Sequence, residues 1–246
     1  MAVKKKTARK KRGKTKQGFL GIQVRKALRI TARVFWAALS IQAVIIFLFA
    51  FINPPTNIYI LSESHRLGGV KQDWVALEDI SPDVARAVVA AEDANFCQHW
   101  GFDLAAIRSV VTAGSGRLRG ASTISQQVAK NVFLWPKRSW TRKLFEAETT
   151  LMIELFWSKR RIVEVYVNVA ELDEGVFGVG AAGPHYFGVK AGDLTLHQAA
   201  RLAAVLPNPK GRSAVNPSAR IRKRTSSIIQ GARTIQADGR DGCFSG

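Results

Sequence analysis

Cysteine is scarce in this sequence, with Cys97 and Cys243 as the two cysteines in 246 residues. Two cysteines do not make the disulfide framework on which small secreted domains depend, and the state of Cys97 stays open. No Cys/His cluster has the spacing of a structural zinc site. With 47% hydrophobic residues, the chain can form one good core, or one domain beside a membrane anchor.

Acidic residues are absent from positions 1–33, which contain thirteen lysines and arginines. Only +6 of the formal net charge of +19 therefore belongs to the rest of the chain. A nucleic-acid-binding protein needs its basic residues on the folded body. The charge distribution argues against a nucleic-acid partner and indicates a basic tail.

Charged residues are also absent from positions 34–52, whose sequence is VFWAALSIQAVIIFLFAFI. A helix of these 19 residues is long enough to span a bilayer at about 1.5 Å per residue. The run is longer than the core of a cleaved signal peptide, which has about 7–15 residues. We therefore predict an uncleaved transmembrane signal anchor, with the tail 1–33 in the cytoplasm and the body outside.

Strand signals are few in the remaining sequence, whereas helix signals recur. Residues 58–61 are interpreted as a short strand, and the later segments have the apolar spacing typical of helices. Predicted helix starts with a capping residue lie at Ser81, Asp103, Ser122 or Thr123, Ser139 and Ser158. The sequence predicts a mainly α domain over 53–236 and a loose C-terminal tail at 237–246.

The first candidate site is the pair Glu92-Asp93, followed by Phe96 and His99. Glu92 lies near the end of an Ala/Val-rich helix, where burial raises a carboxyl pKa towards that of a useful base. Adjacent helix residues point in different directions, so Glu92 and Asp93 cannot both face one pocket squarely. The alternative is a solvated helix end, with His99 as a capping or core histidine.

A second candidate is the segment GASTISQQVAKN at 120–131. Thr123, Gln127 and Lys130 are spaced i, i+4 and i+7, which places them on one face of a helix. A hydroxyl, an amide and an ammonium near a helix N-terminus suit a phosphate or diphosphate. The alternative is a polar face in solvent.

A third candidate is the segment RKLFE at 142–146. Arg142 and Glu146 are i, i+4 neighbours, with Lys143 beside them. These residues form either a simple ion pair on the helix surface or part of a functional site, in which Glu146 is a second carboxylate, after Glu92, with cations beside it.

Taken together, these segments resemble the peptidoglycan glycosyltransferase family, the transglycosylase domain of class A penicillin-binding proteins, and especially its monofunctional biosynthetic members. The matching pieces, in the family's order, are EDANFCQHWGFD (92–103), GASTISQQVAKN (120–131), RKLFE (142–146), KRRIVEVYVN (159–168), GVFGVGAAGPHYFG (175–188) and QAARLAAVLPNP (198–209). The sequence departs from the family at Ala94, where an arginine is usual, at Ser125, where a threonine is usual, and at His197-Gln198, where an acidic pair is commoner.

The resemblance implies a lysozyme-like α fold, with a small membrane-proximal second lobe near 104–119, after one transmembrane helix. It implies a polymerase of glycan strands in the bacterial inner membrane, single-pass and with a periplasmic catalytic domain. The donor is a glycan on undecaprenyl diphosphate, the acceptor is lipid II, and β-1,4 bonds form with inversion and without transpeptidation. Other implied partners are the lipid bilayer and proteins of cell-wall synthesis or division.

The resemblance also assigns roles to residues. Glu92 is the implied base, and Lys130, Arg142 and Lys143 stabilise the leaving diphosphate. Glu146 is the second carboxylate, and its role stays open between orienting cations, holding a divalent cation (Mg or Mn) and assisting the leaving group. No tightly bound cofactor is expected. The other implied substrate-binding residues are Asp93, Phe96, His99, Ser122, Thr123, Gln127 and Asn131.

Two other functions remain to be tested. A lytic enzyme that cleaves peptidoglycan on a similar fold needs a general acid and gains little from a cationic face for diphosphate. A membrane-anchored scaffold would require both Glu92 and Glu146 to be dispensable.

Overall fold

The chain divides into two compact units, Met1–Ile46 and Phe47–Gly246, of which the computed structural model describes residues 11–112, 122–137 and 139–245. Helix α1 runs over Lys11–Phe49. Its part Gln23–Phe49 contains an 18-residue window with a mean hydropathy of 2.0 and is long and apolar enough to cross a membrane. This helix is compatible with a membrane anchor, and it begins before the predicted segment 34–52.

The second unit is mainly α, as predicted, with one small sheet in its described part. Its strands are β1 (Lys71–Gln72), β2 (Glu171–Asp173) and β3 (Val176–Phe177), in the order β1-β3-β2, with β1 parallel and β2 antiparallel to β3. Its described α-helices are α2 (Ile58–Leu67), α3 (Pro82–Glu92), α4 (Leu104–Thr112), α5 (Ile124–Val128), α6 (Trp140–Phe156), α7 (Lys159–Val169), α8 (Gly178–Phe187), α9 (Leu196–Val205) and α10 (Ala219–Ala237).

Capping side chains begin α4, α6 and α7 where the sequence predicts, whereas Ser81 precedes α3 without a side-chain cap. Side-chain oxygens of Ser139 and Ser158 each accept a backbone N–H at 3.1 Å, at the starts of α6 and α7. Oδ1 of Asp103 accepts the N–H of Ala106 at 2.8 Å, at the start of α4. Each bond satisfies a backbone donor that the first turn of a helix leaves without a partner.

The predicted strand at 58–61 is wrong, because this segment forms the first turn of α2. Oδ1 of Asn57 accepts the N–H of Ile60 at 2.9 Å and caps the helix. Gly68 ends it in a left-handed conformation, with a φ of 74°, which glycine adopts without steric cost. Local capping at both ends therefore outweighs the β-branched content of the segment.

The third predicted helix is not one regular α-helix. Helix α5 ends at Val128, and a π-helical turn follows over Ala129–Phe133. The wider turn shifts the side chains that follow it relative to a spacing of 3.6 residues per turn. Thr123 lies before this turn and faces the core at 1% exposure, whereas Gln127 and Lys130 both act on Glu92, so the predicted shared face fails at Thr123.

The prediction of a loose C-terminal tail at 237–246 is also wrong for the residues described, which extend to 245. Asp241 is 7% exposed and pairs with Arg86 of α3 at 2.7 Å. Phe244 is buried, and Cys243 forms a disulfide with Cys97. Sequence reasoning missed this packing because the segment lacks a periodic apolar pattern.

The core contains two groups of packed helices. Helices α3, α9 and α10 pack against one another, and α5 packs against α6 and α7. Tyr166 of α7 and Ile124 of α5 are fully buried. Helix α7 contacts both α3 and α5, and the N–H of Ile124 donates to Oδ2 of Asp93 at 3.0 Å, so the C-terminal end of α3 meets the start of α5 beside α7. Of the predicted second lobe near 104–119, residues 104–112 form α4, and residues 113–119 lie outside the described part of the chain.

Candidate active site

Glu92 is the last residue of α3, and its side chain is 15% exposed. Its Oε2 accepts a hydrogen bond from Nε2 of Gln127 at 3.0 Å. Its Oε1 accepts one from Nη2 of Arg224 at 3.1 Å. The carboxylate is thus held between an amide of α5 and a guanidinium of α10.

Burial raises the pKa of Glu92 above its ordinary value of 4.5, because the charged form is poorly hydrated there. The hydrogen bond from Gln127 opposes this shift and is the largest opposing effect. The positive charges of Arg224, Lys130 and Arg212 also oppose it. The carboxylate of Glu92 therefore binds a proton more tightly than an exposed glutamate does, and its hydrogen bonds fix its orientation.

Tyr166 of α7 fixes the orientation of the Gln127 amide. Its hydroxyl donates to Oε1 of Gln127 at 3.0 Å, so the amide nitrogen of Gln127 must face Glu92. Tyr166 is 1% exposed, and burial followed by the nearby charge of Glu92 raises its pKa well above the usual range. The phenol therefore stays protonated and acts as a donor at neutral pH.

Asp93 points away from Glu92, as the geometry of adjacent residues predicts. Its Oδ1 lies 2.8 Å from Nε2 of His99, and its Oδ2 accepts the N–H of Ile124 at 3.0 Å. Asp93 is 7% exposed. Asp93 and His99 therefore tie the turn after α3 to the start of α5, and their predicted contact with substrate stays untested.

Two residues predicted to bind substrate face the core. Phe96 is 0% exposed, and its ring packs against His99 and under Nζ of Lys159 at 4.3 Å. Thr123 is 1% exposed, and its hydroxyl donates to the carbonyl of Gly101 at 2.7 Å while capping α5. Neither side chain has a surface for a ligand, which corrects the prediction of direct contact.

Three other predicted substrate contacts of the second segment are accessible. Ser122 is exposed, and Lys130 and Asn131, on the π-helical turn, are half-buried. The charge of Lys130 acts on Glu92. These three residues keep their predicted role as substrate contacts, which awaits a test.

Glu146 lies in a second cluster, built on α6. The residue is 3% exposed, and its Oε2 accepts from Nη1 of Arg142 at 2.8 Å. Its Oε1 accepts from Nζ of Lys143. Within the described part of the chain, Nε of Arg142 is buried without a hydrogen-bond partner. An unpaired buried N–H beside other cations is well placed to receive an anionic oxygen.

A divalent cation fits poorly at Glu146. Both carboxylate oxygens already accept from cationic side chains, and a metal ion needs free oxygen ligands. Elsewhere in the described residues, no group of three or more His, Cys, Asp or Glu side chains is placed to hold a metal ion. The divalent cation stays an untested prediction.

Sequence reasoning missed two residues that contact the Glu92–Gln127 pair, and one more nearby. Arg224 is 132 residues from Glu92, and the one signal was that its segment is basic and helical. Tyr166 lies inside the fourth matching segment, but its partner was not evident. Arg212, whose charge also acts on Glu92, gave no signal.

A helical scaffold that sets a desolvated carboxylate beside an amide and several cations fits an enzyme that transfers a group by general-base catalysis. The model of the transglycosylase family matches residues 61–233, and the chain belongs to this family. It is a peptidoglycan glycosyltransferase, an enzyme of cell-wall biosynthesis with a lysozyme-like fold.

Curated relatives agree with the family match. A biosynthetic peptidoglycan transglycosylase of Jannaschia sp. (strain CCS1) is 53% identical over 206 residues, which are 84% of this chain and 85% of that protein. One of Caulobacter vibrioides is 42% identical over 229 residues, which cover 92% of this chain and 100% of that protein. One of Cronobacter sakazakii is 52% identical over 169 residues, or 68% and 70% of the two chains.

Proposed function

We propose that this enzyme polymerises glycan strands from lipid II. The growing strand on undecaprenyl diphosphate is the donor, and the GlcNAc 4-hydroxyl of lipid II is the acceptor. The observation that carries the proposal is the desolvated carboxylate of Glu92, fixed by Gln127 and Arg224. A sugar hydroxyl is a weak nucleophile, and a positioned base with a raised pKa is what its activation needs.

The proposed step breaks one bond and forms one. The acceptor O4 attacks the anomeric carbon of the donor's MurNAc from the face opposite the diphosphate, so the α-linked donor gives a β-1,4 bond. The hydroxyl proton passes to Glu92 and then to water. The bond from the anomeric carbon to the diphosphate oxygen breaks, and undecaprenyl diphosphate leaves.

The leaving diphosphate needs charge stabilisation more than a proton. Arg142 and Lys143 supply two positive charges held in place by Glu146. The half-buried Lys130 adds a third near Glu92. Of the three roles open for Glu146, we propose that it orients cations, because both of its oxygens are already engaged with them.

Exposed apolar residues support a site close to lipid. On α6, Leu144, Leu151 and Leu155 lie on one helix face at spacings of seven and four residues and are 72%, 44% and 65% exposed. Trp140 at the start of α6 is 90% exposed, and Leu104 of α4 is 62% exposed. A surface of this kind suits a bilayer, in which both proposed substrates keep their lipid tails.

We also propose the topology predicted from the sequence, with the N-terminus in the cytoplasm and the catalytic unit in the periplasm. Positive residues before the apolar helix support this orientation. The Cys97–Cys243 disulfide supports it independently, because such bonds persist outside the reducing cytoplasm. The proposal assigns polymerisation without transpeptidation, because the Caulobacter relative, named for transglycosylation, is matched over its whole length.

Incubating the purified full-length protein with labelled lipid II in detergent tests this proposal. We expect a ladder of glycan polymer from the wild type and none from Glu92→Gln, which keeps the shape of the side chain. Glu78→Gln, which removes a carboxylate that is 75% exposed, is the matched control and should give the wild-type ladder. Digestion of preformed sacculi, with no polymer from lipid II, would overturn the proposal and favour a lytic enzyme.

A further inference from the structure

The last described residues, 238–245, pack against the turn that follows α3, and we call them the C-terminal clamp. Cys243 forms a disulfide with Cys97, with 5.7 Å between the two Cα atoms. Phe244 is 2% exposed, and its ring centre lies 6.3 Å from that of Phe96. A covalent bond and an aromatic contact therefore bury the end of the clamp in the unit.

Polar contacts attach the clamp on both sides of Glu92. Nε of Arg86, on α3, donates to Oδ2 of the buried Asp241 at 2.7 Å. Nη1 of Arg240 donates to the backbone carbonyl of Ala94 at 3.2 Å. Glu92 lies between these two attachment points in the sequence, so the clamp constrains the backbone before and after it.

Helix α10 leads directly into the clamp and carries Arg224, which contacts Glu92 at 3.1 Å. The disulfide joins the chain after α10 to the turn after α3. It therefore constrains both elements that supply the Glu92–Arg224 ion pair.

The two helices are also held together without the clamp. A Cβ built on Gly231 of α10 would lie 3.1 Å from the Cβ of Ala90 on α3, which shows how closely the helices approach. Ile221, Ile228 and Ile235 of α10 are buried. The packing of α10 thus supports the fold, while the clamp adds constraint at the end of α3 that bears Glu92.

We propose that the C-terminal clamp is a positioning element for polymerisation, in which the Cys97–Cys243 disulfide holds Glu92 and Arg224 in contact. Full activity then requires Cys97 and Cys243 to be oxidised. The inference rests on the function proposed above. Forming the bond moves two electrons and two protons from the two thiols to a protein disulfide of the thiol–disulfide exchange class. The oxidising protein first forms a mixed disulfide with one cysteine and then leaves as a dithiol. Because such oxidising proteins act outside the cytoplasm, the enzyme matures after export.

The main test compares oxidised wild type, phosphine-reduced wild type and the double variant Cys97→Ser/Cys243→Ser, all full-length and well below their unfolding temperatures. We expect the kcat for lipid II polymerisation to fall about tenfold or more in the last two, because small displacements at a catalytic group are costly. The KM should change little, and the acid limb of the pH profile should move to higher pH as Arg224 withdraws. Reoxidation should restore the wild type alone.

A double variant with the kcat and pH profile of the oxidised wild type would overturn the clamp proposal. Absence of polymer from the oxidised wild type would instead overturn the proposed function. Hydrogen exchange tests the clamp in either case, since it needs no substrate. We expect faster exchange over residues 91–99 and at the start of α5 in the double variant, and unchanged exchange there would contradict the proposal.

Single substitutions in the clamp separate positioning from stability. Arg240→Ala removes the donor to the carbonyl of Ala94, and we expect a lower kcat at nearly constant KM. Arg240→Lys keeps a cationic donor and should recover most of that loss. Arg233→Ala removes an exposed arginine of α10 and is the matched control, which should polymerise like the wild type. Equal kcat values for Arg240→Ala and Arg233→Ala would contradict the assigned role of Arg240.

Discussion

The carboxylates of Glu92 and Glu146 are 15% and 4% exposed, but their surroundings suit them to different roles. Glu92 shares its oxygens with a neutral amide and one guanidinium, and burial raises its pKa. Glu146 gives both oxygens to cations of its own helix, Arg142 and Lys143. One carboxylate can therefore accept a proton, whereas the other holds two cations, which we propose stabilise the leaving diphosphate. Environment rather than residue type assigns the two roles.

The largest expected effects come from replacing each carboxylate by its amide. Glu92→Gln should lower the polymerisation rate by about 10²–10⁴-fold, which is the usual contribution of a general base. The free energy of unfolding should change little, because the uncharged side chain avoids the cost of burying a charge. Polymerisation rates and denaturant unfolding measure the two quantities.

Glu146→Gln should differ by losing stability as well as activity. It leaves the buried guanidinium of Arg142 without its ion pair, and we expect a loss of about 3 kcal/mol in the free energy of unfolding. Denaturant unfolding beside Glu92→Gln measures the difference. The comparison fails if Glu92→Gln is the less stable of the two proteins.

Reduction of the Cys97–Cys243 disulfide, which lies near Glu92, should lower the stability of the protein. The disulfide joins residues 146 positions apart, and its reduction should lower the free energy of unfolding by about 2–5 kcal/mol. Denaturant unfolding with and without reductant measures this loss. The double variant Cys97→Ser/Cys243→Ser is the control, since reductant should not affect it. Equal stability of oxidised and reduced wild type would show that the clamp adds no constraint.

A smaller effect is expected at Thr123, which lies near Glu92 but faces the core. Thr123→Ala should cost about 1 kcal/mol of stability through loss of the cap on α5. Thr123→Ser should keep the cap and the stability, and both variants should keep the wild-type KM for lipid II. A large rise in the KM of Thr123→Ser would restore the idea of direct substrate contact.

The two carboxylates also differ in how far the sequence predicts them. The Glu146 cluster follows from spacing alone, because Arg142 and Lys143 precede Glu146 by four and three residues on one helix. The partners of Glu92 come from α5 and α10, which lie 35 and 132 residues away. The sequence indicates Gln127 as a polar site residue but cannot show that it binds Glu92.

The fold was predictable where signals are local and unpredictable where they depend on distant contacts. Ser139 and Ser158 mark helix starts that the structure confirms. The burial of Thr123 has no such local mark, because it depends on a contact with the carbonyl of Gly101, and the predicted helix face fails at this residue. The C-terminal clamp likewise has no local signal in the sequence, because the disulfide that anchors it pairs cysteines 146 residues apart.

The dependence of kcat/KM on pH tests the central claim most directly, in wild type, Gln127→Ala and Glu146→Gln. The rate should rise with pH as Glu92 loses its proton, with a midpoint above 4.5. The amide of Gln127 stabilises the charged form of Glu92, so its removal raises the pKa of Glu92. The acid limb of the pH profile should therefore move to higher pH in Gln127→Ala. Glu146→Gln should leave the limb in place. A limb that moves with Glu146 and not with Gln127 would contradict the assignment of Glu92 as the base.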